Sequence, residues 1–167
     1  MYQTVVVLTH AASAASAIIA GVLALTYPNG TPRHHLFGKL YLLCWSLLVI
    51  GGAIIGSWHP GFSIFQLINL LGFISVLIAY SIILARERIG PTWLHHHYNW
   101  MVTSMAFLVV GTIHVLLRHA FGWVPDWLFV AMVAAAAPTT SWYVRRLDRR
   151  YGYPKRRPAR PAAEPTR

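Results

Sequence analysis

Apolar residues run almost unbroken through this chain, and the breaks between runs are short. The first run extends from about Thr4 to Thr26 and stops at Tyr27-Pro28-Asn29-Gly30, a strong turn signal. The second covers about Leu36 to Gly56 and closes at Ser57-Trp58-His59-Pro60-Gly61. A third goes from about Phe62 to Ala85, ended by Arg86-Glu87-Arg88 and Gly90-Pro91. The fourth starts near His97 and reaches Leu117 before Arg118. The fifth lies between Asp126 and Arg145, about 18 residues or roughly 27 Å at helical rise, with a kink expected at Pro138. A membrane span needs about 20 residues, and a backbone in lipid must satisfy its own hydrogen bonds. The pattern predicts an all-α integral membrane bundle of five transmembrane helices.

Lysine and arginine in the short connections set the orientation. Arg33 and Lys39 flank the first connection, Arg86 and Arg88 the third, and the end of the chain is strongly basic. The second connection has neither residue, and the fourth has only Arg118, partly offset by Asp126. The sides alternate consistently for five spans, which places the N-terminus out and the C-terminus in. Four spans are the alternative, with the first or last run lying in the interface, but that breaks the alternation. Trp58, Trp123 and Trp127 then fall at the outer edge and Trp93, Trp100 and Trp142 near the inner one, an aromatic belt without functional content. The expected location is the cytoplasmic membrane, multi-pass.

Composition agrees: 56% of residues are hydrophobic and 11% charged, against about a quarter charged in a soluble domain. A soluble enzyme, a disulfide scaffold and a DNA-binding domain are excluded. The net charge of +10 is no nucleic-acid signal, because nine of the fourteen Lys and Arg lie in the last 23 residues. The expected division is a bundle over 1–144 and a disordered, basic, Pro/Arg-rich cytoplasmic tail over 145–167, too poor in apolar residues to build a core. That tail is expected to hold the C-terminus inside, with anionic lipid or an acidic partner as the alternative. The N-terminus lacks the basic segment of a signal peptide and reads as a retained span. Cys44, the one cysteine, reads as a packing residue, as does Met101.

Nine histidines against four carboxylates is the unusual count. His34, His35, His95, His96 and His97 gather near the predicted inner face; His10, His59, His114 and His119 lie toward the outer one. His10 and His114 both sit roughly 6–9 Å below the outer boundary. His34 opens the second span and His97 the fourth, again at matched depth. Ionisable side chains within spans are rare and face the bundle interior or a cavity. Neutral imidazole suits iron, copper and zinc. One histidine from each of two helices is what a low-spin haem needs above and below its iron, so His10 with His114 and His34 with His97 form two candidate haem b sites. About 25 Å of helix separates His97 from His114, but their side chains point about 100° apart on an ideal helix. His96 would be in phase with His114.

Two neighbours fit the same idea. Ser13, Ala14, Ala17, Gly21 and Ala24 form a small-residue face that would admit a flat ring. Arg118 follows His114 by four residues on the same face, where it could pair with a propionate. Ordinary readings compete: small residues serve tight helix packing, Arg118 can snorkel to the interface, and the histidines can hydrogen-bond to neighbouring helices. His95-His96-His97 could bind copper or zinc, yet adjacent side chains on a helix diverge by about 100°. No carboxylate lies within a span, which argues against proton-coupled transport. Without H-E-x-x-H, G-x-S-x-G or a Walker A sequence, a membrane hydrolase is disfavoured.

Two segments carry a resemblance. His34-His35-Leu36-Phe37-Gly38-Lys39-Leu40-Tyr41 fits H-x-x-x-G-[KR]-x-Y, and His97-Tyr98-Asn99-Trp100-Met101 fits H-x-x-W-M. With a histidine in the first helix, these resemble an uncharacterised family of small bacterial predicted membrane proteins over roughly residues 5 to 120. The resemblance implies a helical bundle with His34 and His97 as marked positions and lends no activity. His35 and Asn99 stand where the family often has Arg. The layout is also loosely similar, by architecture alone, to transmembrane cytochromes of the b561 and ferric-reductase type.

The leading expectation is a b-type haem protein moving electrons between a quinol or a redox partner protein and an acceptor. The rivals are a non-catalytic accessory subunit or assembly factor of a larger membrane complex, and a copper- or zinc-handling membrane protein using the inner histidines.

Overall fold

The computed structural model describes residues 1–58, 61 and 63–153. Five helices in it are long and apolar enough to cross a membrane. They are α1 (Tyr2–Thr26), α2 (Pro32–Gly56), α3 (Ile64–Leu84), α5 (Trp93–Phe121) and α6 (Asp126–Tyr151). The short α4 (Arg86–Ile89) and a single 3-10 turn (Gly90–Thr92) link α3 to α5, with Gly90 turning the chain at a φ of 73°. No strand occurs among the described residues.

Local signals set the helix starts. Thr31 accepts the main-chain N–H of His34 at 3.3 Å, and Pro32 supplies the preset φ of a first helical position. Ser63 and Gln66 close a reciprocal capping box on α3, at 3.2 Å and 2.7 Å. α5 begins four residues before the expected His97, so its histidine run lies inside the helix. α6 passes through Pro138 and the expected tail boundary to Tyr151, so residues 145–151, expected to be disordered, are helical. Residues 154–167 of the expected tail, and His59, lie outside the described residues.

α1 packs along α2 and α3 along α5; contacts of α2 with α3 and of α1 with α5 join the two pairs. α6 lies against α5 at the margin of this four-helix core. Ala17, Ala20, Tyr41, Trp45, Leu48, Val76 and Leu108 form the centre. The packing is close enough to need glycine: a Cβ on Gly21 would stand 2.9 Å from the Tyr41 ring, and one on Gly72 only 2.5 Å from Trp45. Leu8, Ile19, Leu36, Leu116 and Trp127 face outward, whereas Ser13, Ser75, Ser104, His97 and His114 are buried. Apolar outside and polar inside is the distribution lipid demands.

The helix ends define two ends of the bundle. One gathers Arg33, Lys39, Arg86, Arg88 and the arginines closing α6, and is called the basic end; the other carries the start of α1 and the end of α5.

Candidate functional site

Three histidines repeat one arrangement. His34 Nδ1 lies 2.9 Å from the carbonyl of Ala24, joining α2 to α1. His97 Nδ1 lies 3.0 Å from the carbonyl of Ala79, joining α5 to α3. His10 Nδ1 lies 2.9 Å from the carbonyl of Leu48, joining α1 to α2. A carbonyl oxygen only accepts, so Nδ1 carries the proton in each. In the neutral ring that leaves Nε2 with its lone pair. A backbone carbonyl on one ring nitrogen is also how proteins orient a histidine whose other nitrogen binds a metal.

His34 and His97 line one cavity at the basic end, about 580 Å³ in volume. That is inside the roughly 300–1,000 Å³ range of small-molecule sites. It opens between the α1–α2 pair and the α3–α5 pair, so the two imidazoles reach it from different helices. Ala24 and Gly38 leave parts of its wall without bulk, whereas the space beside Gly21 is filled by Tyr41 and Met105; Met101 and Met105 add soft apolar surface, and Lys39 and Arg86 place two cations on its lining. Tyr41 on the same wall belongs to a buried chain of hydrogen bonds. Ser104 Oγ donates to the Met101 carbonyl at 2.8 Å, so the Tyr41 hydroxyl must donate to Ser104 at 2.9 Å.

The other end differs. The His10 ring lies in a notch made by Gly51 and Gly52: a Cβ on Gly51 would stand 3.1 Å from His10 Cβ, and one on Gly52 3.3 Å from His10 Cε1. His10 borders two cavities, of about 400 and 580 Å³, and Arg118 borders the larger. His114 borders neither. It is 4% exposed, with its ring centroid 4.9 Å from Phe129 and 6.0 Å from Phe65. Both phenylalanines line the smaller cavity, which sets His114 behind the cavity wall. Equal depth therefore does not bring His10 and His114 into a shared cavity as it does His34 and His97.

The histidine run on α5 separates as helical geometry requires. His95 turns to α6, His97 to α3, and His96 is exposed. Among the described residues no group of three or more His, Cys, Asp or Glu is placed to hold a metal ion. His95 Nδ1 instead donates to Asp148 Oδ1 at 2.8 Å, with Tyr98 Oη also near at 3.0 Å, and the Tyr98 hydroxyl donates to the same carboxylate oxygen. Gly152, left-handed at a φ of 68°, ends α6 and turns Tyr153 so that its ring stacks on His95 at 4.3 Å. Sequence reasoning missed this α5–α6 junction. Its only signal was one aspartate amid four arginines.

No protein-family model, curated protein or solved structure matches this chain, so its own side chains carry the functional argument.

Proposed function

We propose that the chain is a b-type haem protein of the cytoplasmic membrane that passes electrons, with one haem held between His34 and His97 at the basic end. One observation carries the reading: two imidazoles from different helix pairs line one cavity, each with Nδ1 fixed to a backbone carbonyl and Nε2 left as the basic nitrogen. Two neutral imidazoles are the ligand set of a low-spin haem, whose iron supplies a one-electron couple. Lys39 and Arg86 are the cations available to the propionates. Ala24 and Gly38 on the wall favour a flat ring. With the N-terminus out, the site lies in the inner leaflet, near a soluble acceptor or a redox partner. The motif likeness, which marks His34 and His97, points to the same two residues.

His10, His114 and Arg118 are not assigned to a second haem, since His114 lies behind Phe65 and Phe129. The main rival is an accessory subunit or assembly factor of a larger membrane complex, with histidines that only tie helices together; the three Nδ1 bonds are what favour it. The readings part on Nε2. Protein expressed with ample haem and purified in detergent is expected to carry one haem per chain, lost in His34→Ala and His97→Ala and kept in His114→Ala. Colourless, well-folded protein supports the rival.

A further inference from the structure

The two cavities at the end opposite the basic one meet at the same side chains. His10, Phe65 and Asn69 line both. His10 and Asn69 are close neighbours, because a Cβ on Gly52 would stand 3.3 Å from His10 Cε1 and 2.9 Å from Asn69 Nδ2. The smaller cavity is almost wholly apolar, walled by Trp45, Phe65, Phe107 and Phe129 on one hand and by small residues such as Ala14 and Gly111 on the other. Of the other polar side chains on its lining, Thr112 already donates its hydroxyl to the Leu108 carbonyl at 2.8 Å, and Trp45 carries a buried indole N–H. The larger cavity is more polar, with Ser63, Gln66 and Arg118 on its lining. An apolar chamber thus adjoins a polar vestibule, with a hydrogen-bonding pair at the join.

We infer that this is a binding site for the ring of a lipid-soluble quinone or its hydroquinone. His10 Nδ1 is fixed as a donor to Leu48, so Nε2 is an acceptor and takes a hydrogen bond from a ring hydroxyl. The Asn69 carboxamide donates to a ring carbonyl or accepts from a second hydroxyl. An asparagine within a membrane span is costly unless its amide finds a partner, and this one borders both cavities. Aromatic walls beside alanine and glycine admit a flat ring, and the apolar chamber takes its prenyl substituents. A fatty acid also fits a membrane cavity, but its carboxylate calls for Arg118 and leaves the His10–Asn69 pair without a role. The site gives the electron-transfer reading a donor, yet its test reads binding and does not depend on haem.

The probes are short-chain prenylated 1,4-benzoquinone and 1,4-naphthoquinone, titrated into the purified full chain in nanodiscs and followed by calorimetry. Saturable binding of either at one site per chain is expected, the better ligand identifying the natural ring. His10→Asn keeps an amide N–H for the Leu48 carbonyl and removes the Nε2 acceptor; Asn69→Leu removes the other partner. Each is expected to weaken binding at least tenfold while His114→Gln stays within twofold of wild type. Should the variants misfold, a photoreactive azidoquinone on the wild-type chain is expected to label peptides of α1 or α3 around His10 and Asn69. Non-saturable binding, unchanged affinity in both folded variants, labelling confined to other helices, or equal competition by decanoic acid each overturns the assignment.

Discussion

The ring of His97 on α5 reaches across to α3 and donates from Nδ1 to the Ala79 carbonyl at 3.0 Å, while its own surface is 8% exposed. That bond ties two helices and fixes which nitrogen is left basic. The roles separate by substitution. His97→Asn offers an amide N–H near the Nδ1 position and nothing near Nε2; His97→Leu offers neither. Both are expected to lose the haem band, but only His97→Leu loses the interhelical bond, at about 0.6–1.7 kcal/mol. Thermal melts read beside haem absorbance check this. A chromophore that survives in His97→Asn contradicts a ligand role for Nε2.

The Tyr41–Ser104 pair tests the direction of the buried chain. Tyr41→Phe removes a donor and leaves Ser104 bonded to Met101, at about 1 kcal/mol. Ser104→Ala strands a phenol hydroxyl on a residue that is 1% exposed, at about 1–3 kcal/mol. Ser104→Ala is therefore expected to be the more destabilising, and the double variant to fall short of the sum. Detergent-based unfolding of the three variants measures it. Equal, additive losses mean the two side chains are not coupled.

A glycine pair in α2 tests the His10 notch. Gly51→Val would press on His10 Cβ at 3.1 Å and on Nδ1 at 3.3 Å, forcing the ring off Leu48 at about 1–3 kcal/mol. Gly38, on the same helix, has nothing within 4 Å of an added Cβ, so Gly38→Ala is expected to stabilise by up to about 1 kcal/mol. Opposite shifts in melting temperature are the predicted result. Equal shifts mean that the notch is not filled by His10.

Asp148 holds the end of α6 to α5 through His95 and Tyr98. Asp148→Ala removes hydrogen bonds to a charged acceptor, about 1.5–3 kcal/mol each. Amide exchange is expected to quicken over the last turns of α6 and to stay unchanged in α1 and α2, read by mass spectrometry. Unchanged exchange in α6 shows that the junction is not what fastens it.

These cases also mark what the sequence could express. Five helices were legible because long apolar runs are punctuated by turn residues at Tyr27–Gly30 and Gly90–Pro91, and depth in the membrane follows from counting along each run. Counting alone matches His34 with His97 in depth, and both line one cavity. Azimuth is a second coordinate, and counting does not supply it. His10 and His114 share a depth, yet His114 turns toward Phe65 and Phe129 while His10 faces Gly51 and Gly52. Asp148 was invisible for another reason: an Arg-rich stretch beside prolines reads as a solvated tail, and only the helix phase brings its carboxylate to His95. The Gly51–Gly52 notch carried no signal, since small residues are ordinary in membrane helices.

The most direct test of the central claim is the visible spectrum of the purified chain, oxidised and then reduced with dithionite, with a pyridine haemochrome assay for stoichiometry. A sharp α band on reduction at one haem per chain, abolished by His34→Ala or His97→Ala and intact in His114→Ala, is the predicted result. A featureless spectrum from folded protein made in haem-supplied cells would contradict it, and would leave the histidines as ties between helices.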